Sequence, residues 1–415
     1  MSVSTSIPSR SSFLMGEAAQ AWEYFQEIGY PNSKNENWRF SNPEAWLQKD
    51  APRFQKNGQN SLQEFLDLIQ PDTTPVFIFN ESVVVPDELP EGVKIVGLNL
   101  EIQENPTGET IGAVADFHIS PFIAENMALF QDCTVINISE GCKIENPIHI
   151  IHLIQAKNTQ RIFPRLFLNV GAGSEVTIWE TELGNDGHPH FINSVTESII
   201  HENAHLKWTN LQQRNRETGQ ISSFNAALEK NSTACYSSFE FGGGFIRKDI
   251  NIYLHSIGSE CELNSLFVPT GKQHVDISTV VHHEGPHCNS RQLVKGILGD
   301  KSSGVFRGLA NVYKKAEKTD AQQSNKNLLL SPKARMNSIP QLKIYEDDVK
   351  CTHGSTTGQI DEDSLFYLQS RGINRNNAVN LMVKGFANEV VEKAGHPQFK
   401  EIIQTALSEK LEEVI

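Results

Sequence analysis

The feature of this sequence that most restricts its fold is a series of short strand-like runs, each preceded by the same kind of turn. The runs lie between about residues 121 and 360 and alternate apolar with polar side chains. The turn before several of them is a Gly or Asn, then usually Ser or Ala, then a polar or small residue that opens the strand. Five equivalent strand starts follow one another at steps of 33, 30, 28 and 27 residues: Cys142, Glu175, His205, Thr233 and Glu260.

A loose period of about 30 residues predicts a β-solenoid, in which every coil covers the apolar edge of its neighbour. A β-sandwich is the alternative, because it also contains short strands. Its turn chemistry need not recur, however, and the recurrence therefore favours the solenoid. The sequence predicts a mainly β protein whose solenoid core spans residues 121–360.

The N-terminal flank, residues 1–120, has mixed helical and strand character. Residues 17–28 place apolar side chains at steps of three and four, which predicts an amphipathic helix. Residues 61–70 repeat this helical pattern, with Ser61 as a candidate N-cap. Two short strand-like runs follow. We therefore expect an α/β region before the solenoid.

The C-terminal flank, residues 361–415, returns to helical periodicity. Asp361 and Asn374 are candidate N-caps of two helices, and Gly372 lies just past the end of the first. Pro397 separates a third helix from the second. The chain is predicted to end as a small helical domain.

Charge and cysteine usage restrict the partners and the compartment. A formal net charge of -14 leaves no broad cationic face, so nucleic acid and anionic membranes are poor candidate partners. No run of about 18 apolar residues suggests a membrane span, and the Ser-rich start lacks the apolar core of a secretory signal. The six cysteines are scattered without a C-x-x-C pair, which fits free thiols in a reducing compartment. We expect a cytoplasmic protein; a remnant of a transit peptide is the less favoured alternative.

Two compact motifs are weak candidates for binding sites. "HHEGPHC" at residues 282–288 could ligate a metal, but its Gly-Pro pair favours a turn with exposed imidazoles. "FGGGF" at residues 241–245 lacks the Lys-Ser or Lys-Thr of a phosphate loop and is more typical of a close turn between coils. The sequence has no G-x-S-x-G or Walker motif, and it predicts no ATP site of its own.

Cys351 and His353 are the stronger candidates for chemistry. They stand two places apart at the end of an apparent strand, so their side chains should project from the same face. An imidazole beside a thiol should lower the thiol pKa and favour the thiolate that binds iron or copper(I). Two ligands do not complete a metal site, and the alternative is that both residues serve packing.

The sequence around these residues resembles the SufD family, which belongs to the SUF machinery for building iron–sulfur clusters. The resemblance is most specific over residues 283–375, which contain "YKKAEKTDAQQSNKNLLLSPKA" and "PQLKIYEDDVKCTHGSTTGQID". A looser match is "GYPNSKNENWRF" at residues 29–40. The resemblance implies a right-handed parallel β-helix between a helical N-terminal region and a C-terminal helical domain.

The resemblance also implies a function. SufD-like chains are non-enzymatic scaffold subunits that pair with the paralogue SufB, and each of the two is held by a SufC ATPase. A transient iron–sulfur cluster is expected at the interface with SufB, where His353 would face a SufB cysteine with Cys351 as its neighbour. Flavin binding by the assembled complex stays open.

The resemblance assigns the C-terminal helices to docking of SufC. Leu381, Met382 and Phe386 are the candidate contacts, although their apolar pattern is also that of a helical core. The edges at the end of a β-solenoid should pair with SufB, and without SufB two copies of this chain are expected to pair instead.

A solitary β-helix enzyme, such as a polysaccharide lyase or hydrolase, is the alternative function. Such an enzyme would need a cluster of carboxylates or basic residues along one face of the solenoid.

Overall fold

Two parallel β-sheets face each other through the centre of the molecule. The structure is a computed structural model that describes residues 12–47, 51–53, 63–98, 111–154, 156, 158–184 and 188–414. Its α-helices are α1 (Ser12–Ile28), α2 (Pro121–Leu129), α3 (Glu362–Ser370), α4 (Arg375–Val391) and α5 (Pro397–Glu412). Short 3₁₀ segments cover Glu36–Trp38, Gln63–Leu68 and Glu392–Ala394. Its strands are β1 (Thr74–Phe79), β2 (Ser82–Val84), β3 (Val93–Gly97), β4 (Thr134–Ile138), β5 (Ile148–Leu153), β6 (Arg161–Ile162), β7 (Arg165–Val170), β8 (Glu175–Leu183), β9 (Phe191–Ile200), β10 (His205–Gln213), β11 (Gly219–Leu228), β12 (Thr233–Glu240), β13 (Phe245–Leu254), β14 (Glu260–Phe267), β15 (His274–His283), β16 (Asn289–Leu298), β17 (Ser303–Val312), β18 (Asp320–Leu329), β19 (Arg335–Ile344) and β20 (Lys350–Gln359).

Each coil of the chain contributes one strand to each sheet. Sheet 1 has the order β19-β17-β15-β13-β11-β9-β7-β4-β3, and sheet 2 has the order β2-β1-β5-β8-β10-β12-β14-β16-β18-β20. The described chain therefore makes about eight coils, from β4 and β5 to β19 and β20, and the pairing from coil to coil is parallel. The predicted mainly β solenoid is confirmed, and the sandwich alternative is wrong.

The register confirms the period read from the sequence. Glu175 pairs with His205, His205 with Thr233, and Thr233 with Glu260. The first equivalence was wrong by one residue, because Lys143 rather than Cys142 bridges to Glu175. Cys142 instead follows the positive-φ Gly141, as Ser174 follows Gly173 in the next coil. The reason is that Cys142 occupies the small inward position of the turn.

The turn chemistry explains why the coils repeat. The corner residue has positive φ in successive coils: Gly141, Gly173, Asn203, Asn231, Gly258 and His287. Gly and Asn tolerate this left-handed conformation better than other residues do. The next residue is small and, apart from the half-buried Cys142, buried; where it is Ser its hydroxyl donates back across the corner, as Ser232 Oγ does to the Glu229 carbonyl at 2.7 Å. The corner therefore fixes the spacing of the coils.

The two ends of the solenoid differ. At the N-terminal end, β1 extends sheet 2 in parallel and turns into the antiparallel β2, while β3 runs antiparallel to β4 in sheet 1. Strands β1–β3 come before residue 121 in the sequence but belong to the sheets of the solenoid. At the other end, β19 and β20 are the last strands of their sheets.

The flanking regions cover the outer faces of both sheets. Helices α1 and α2 pack on the outward side chains of the first strands of sheet 1, which include Phe167 and Val195. Helices α3–α5 pack on the outward side chains of sheet 2, which include Trp179, Leu211 and Phe239. Burial of these apolar faces joins the three parts of the sequence into one body.

The helix predictions are mostly confirmed, and one is corrected. Asp361 caps α3 by accepting from the Ser364 N–H, and Asn374 caps α4 in the same way. Pro397 begins α5. The helical pattern of residues 61–70 gives only the 3₁₀ segment Gln63–Leu68, in which Phe65 is buried and Leu68 is partly buried. Ser61 lies outside the described residues, and none of the described helices is long and apolar enough to cross a membrane.

Candidate functional site

The last coil of the solenoid is open. Strands β19 and β20 end their sheets, and in the described part of the chain no strand pairs with their outer edges. Nine of the ten residues of β20 are exposed, whereas its neighbour β18 buries every second residue through most of its length. Unpaired backbone edges of this kind pair readily with another strand. The end of the solenoid is therefore the largest unsatisfied β surface that the structure describes.

Cys351 and His353 lie together on this open end. Cys351 pairs with Ala321 and His353 pairs with Gln323 in the parallel ladder between β20 and β18. Ala321 and Gln323 are buried and Gln322 between them is exposed, so the odd-numbered residues of β20 also face the solenoid interior. The structure thus confirms that Cys351 and His353 share one face.

The two side chains differ in environment. His353 is exposed, because no further coil covers it, whereas Cys351 is half-buried. Burial raises the pKa of the Cys351 thiol and the Asp320 carboxylate raises it further, although a backbone hydrogen bond with Ala321 lowers it in part. The expectation that a neighbouring imidazole lowers this pKa is wrong for the chain by itself, because desolvation of the thiolate dominates.

The chain supplies two donors of the kind that iron binds. A thiolate and an imidazole both suit iron and iron–sulfur clusters. Among the described residues there is no group of three or more His, Cys, Asp or Glu side chains that could hold a metal ion. These two side chains alone do not complete a site for a metal ion or a cluster.

Polar side chains continue from this site into the last coils. The Asn325 carboxamide oxygen accepts from Ser338 Oγ at 2.7 Å and from Ser355 Oγ at 3.3 Å, and Ser355 Oγ donates to Ser338 Oγ at 2.7 Å. Asn327 donates to the Thr357 hydroxyl at 3.2 Å. The last coils therefore have a hydrogen-bonding interior, whereas a large apolar cluster fills much of the interior of the earlier coils.

A groove of about 510 Å³ runs beside His353 on the way to the C-terminal helices. Its wall includes Thr352 and Gly354 from β20, Glu389 from the last turn of α4 and Lys393 from the 3₁₀ segment that follows α4. A Cβ atom added at Gly354 would meet nothing within 4 Å, so the chain itself leaves open space on the outer face of β20. The groove therefore joins the open end to the helices that cover sheet 2.

The three candidate docking residues on α4 lie in different environments. Leu381 is 54% exposed, whereas Met382 and Phe386 are partly buried against the core between α3–α5 and sheet 2. Phe386 also packs on the Lys295 ammonium, 4.4 Å from the ring centre.

Two exposed residues on α3 were missed by the sequence analysis, Phe366 at 73% and Tyr367 at 57%. The signal was present in "LFYL", because Leu365 and Leu368 already complete the inward face at a step of three.

The two weaker motifs do not form sites. In residues 282–288, His282 packs between Tyr253 and Tyr313, whereas His283 points inward to Ser290. The prediction of exposed imidazoles thus fails for the buried His283. In residues 241–245 the predicted close turn between coils is confirmed.

Comparisons with known proteins agree with this description. A sequence model of the SUF system FeS cluster assembly SufBD core domain matches residues 152–386, and a model of the SufBD protein N-terminal region matches residues 3–150. The chain is 30% identical to the iron-sulfur cluster assembly protein SufD of Escherichia coli K12, over 94% of this chain and 92% of that protein. It is 31% identical to the chloroplastic protein ABCI7 of Arabidopsis thaliana, over 88% of this chain and 79% of that protein. A SufBD family protein of Synechocystis is 31% identical over 65% of this chain and 61% of that protein.

Proposed function

Because the chain belongs to the SufBD family of the SUF iron–sulfur cluster assembly system, we propose that it is a non-catalytic scaffold subunit that holds a nascent cluster together with a SufB-like partner. The cluster is the cargo of the assembled complex rather than a resident cofactor. His353 and Cys351 are the proposed ligands from this chain.

The open end of the solenoid is the observation that carries this proposal. It combines two unpaired strand edges with an inward-facing thiol and imidazole that are too few to complete a site. A like solenoid placed against this end would satisfy the backbone edges and could supply the missing ligands. Binding of iron by Cys351 requires loss of the thiol proton, and the raised pKa of this thiol makes that step unfavourable before the partner arrives. His353 needs no such step when it is neutral.

The exposed face of the C-terminal helices is the proposed site for a SufC-like ATPase. Leu381, Phe366 and Tyr367 present apolar surface that helices α3–α5 do not use for their own packing. Met382 and Phe386 would contribute at the edge of this surface. Because aromatic residues are enriched at the centres of interfaces, the two α3 rings are the stronger contacts.

The remaining proposals concern the roles of the three parts of the chain and its state without the partner. Residues 1–120 contribute helix α1 and strands β1–β3, residues 121–360 form most of the solenoid that meets the partner, and residues 361–415 dock the ATPase. In the absence of the SufB-like partner, two copies of this chain would join at the open end as a symmetric homodimer. We propose that the protein works in the cytoplasm.

No specific observation favours the alternative of a solitary polysaccharide lyase or hydrolase. Glu182 and Glu240 of sheet 2 and Lys248 of sheet 1 form a set of charged side chains, but these side chains are buried inside the solenoid. A polysaccharide could not reach them.

Co-expression with tagged SufB-like and SufC-like subunits tests the proposal. We expect all three proteins to elute together and the complex to accept iron and sulfide. If this chain stays outside a complex that the other two form, or if the purified chain alone cleaves oligosaccharides, the scaffold assignment is wrong.

A further inference from the structure

Gln323 lies directly below His353 in the polar interior of the last two coils. The two residues are register partners on neighbouring strands, and both face inward. Paired strands lie about 4.8 Å apart, so the side chains of register partners are within reach of each other. Gln323 is 4% exposed, whereas the side chain of His353 is exposed at the open end.

The Nε2 amino group of the Gln323 carboxamide already has a hydrogen-bond acceptor. Gln323 Nε2 donates to Gln292 Oε1 at 3.4 Å, and Thr279 Oγ1 donates to the same oxygen at 2.7 Å. Gly308 on sheet 1 provides the space, because a Cβ atom there would lie 2.0 Å from Gln323 Nε2. The carboxamide is therefore confined with its nitrogen pointing to Gln292.

The oxygen of the same carboxamide is unused. Gln323 Oε1 is buried and has no hydrogen-bond partner among the described residues. Buried polar atoms are nearly always paired, and an unpaired acceptor therefore points to a donor that arrives in another state of the protein. An imidazole N–H of His353, one coil above, is such a donor after rotation of the exposed ring about its side-chain bonds.

We propose that Gln323 is a positioning residue, whose carboxamide oxygen accepts a hydrogen bond from one ring nitrogen of His353. This inference rests on the proposed function of His353 as a ligand. A neutral imidazole carries one N–H and one free nitrogen, so the bond to Gln323 selects which nitrogen stays free to bind iron. The bond also fixes the ring, which none of the described residues otherwise holds by a hydrogen bond, before the partner closes the site.

Nitrogen-15 NMR of the imidazole tests the bond on the full chain labelled only at histidine. The His353 signals are identified by their loss in His353→Asn. At a pH where the ring is neutral, we expect one tautomer to dominate in the wild type. In Gln323→Met, which keeps an unbranched side chain with only a weak acceptor, the tautomer ratio should move toward that of free imidazole. Gln322→Met, on the exposed face of the same strand, should leave the ratio unchanged.

The role of the bond is tested in the complex with SufB-like and SufC-like subunits. Gln323→Met should lower the cluster yield by about tenfold, a typical effect of removing an outer-shell partner, while Gln322→Met keeps the wild-type yield. An unchanged tautomer ratio in Gln323→Met overturns the inference, and so does a changed ratio with a normal cluster yield. Normal yield from His353→Ala would instead overturn the proposed function, so the two failures are distinguishable.

Discussion

At the scale of single residues, charged neighbours decide the pKa of Glu182 inside the solenoid, whereas burial decides the pKa of Cys351 at the open end. Inside the solenoid, Glu182 accepts from Asn210 at 2.8 Å and lies 3.6 Å from the Arg214 guanidinium. Burial alone would raise the pKa of Glu182, but Lys248, Arg214 and His152 outweigh burial and hold this pKa at about 2. At the open end, burial instead wins and raises the pKa of Cys351. The solenoid interior therefore stabilises the ionised carboxylate of Glu182, whereas burial at the open end favours the protonated thiol of Cys351.

We predict that Glu182 stabilises the fold above its ordinary pKa and loses this effect in acid. Because the folded pKa is depressed, the contribution is fully present above about pH 4.5 and falls as the pH approaches 2. It should amount to about 3 kcal/mol in the free energy of unfolding at pH 7. Urea unfolding of Glu182→Gln and wild type should show this difference at pH 7 and a smaller one at pH 3. An equal difference at both pH values would contradict the assignment.

At the scale of the elements, the positions of the coils could be predicted from the sequence better than the contacts that their side chains make. The recurring corner was readable because left-handed φ favours Gly or Asn at positions such as Asn203 and Asn231. The shared face of Cys351 and His353 was readable because strands have a period of two. The thiol pKa and the exposure of Phe366 were not readable, because both depend on which surfaces the distant parts of the chain cover.

The apolar surface of α3 and α4 gives a second prediction. Phe366→Asp combined with Leu381→Asp should lower capture of a SufC-like ATPase by at least about tenfold, since hot-spot residues carry most of the energy of an interface. Both residues are exposed, so the melting temperature should change little.

Substitution tests this surface better than truncation does. Removing α4 and α5 would expose Trp179 and Phe239 on sheet 2 and damage the solenoid as well. Ile257→Asp, at an exposed corner of the solenoid, is the matched control and should capture the ATPase normally. If the double variant captured the ATPase fully, this surface would not be part of the interface.

At the scale of the whole molecule, the open end makes the chain one part of a larger assembly. The Lys350 N–H donates to the Thr319 carbonyl in the preceding coil, and alternate N–H groups of a parallel strand point to opposite sides. The Thr357 N–H therefore points to the free edge, away from β18. This edge is available for a second solenoid.

We predict that Thr357→Pro weakens pairing at this edge without unfolding the solenoid. Proline removes the N–H that faces outward and no hydrogen bond of the β18–β20 ladder. Sedimentation should show a homodimer for the wild type alone and for Thr357→Ala, which loses the hydroxyl but keeps the N–H. Thr357→Pro should be mainly monomeric at micromolar concentration. A wild type that is monomeric at the same concentration, below and above physiological salt, would argue against pairing at this end.

The central claim, that the open end holds a nascent cluster shared with a SufB-like subunit, is tested most directly by cluster formation on the assembled complex. Iron and sulfide content and visible absorbance should be measured for the wild type, His353→Ala and Cys351→Ser, each in a complex shown to contain all three subunits. We predict that His353→Ala sharply lowers all three signals with an unchanged circular dichroism spectrum, because His353 is exposed and its loss should not disturb the fold. Cys351→Ser should have a smaller effect, since its thiol is half-buried with a raised pKa. A normal cluster yield from His353→Ala would contradict the claim and would indicate that His353 and Cys351 serve packing.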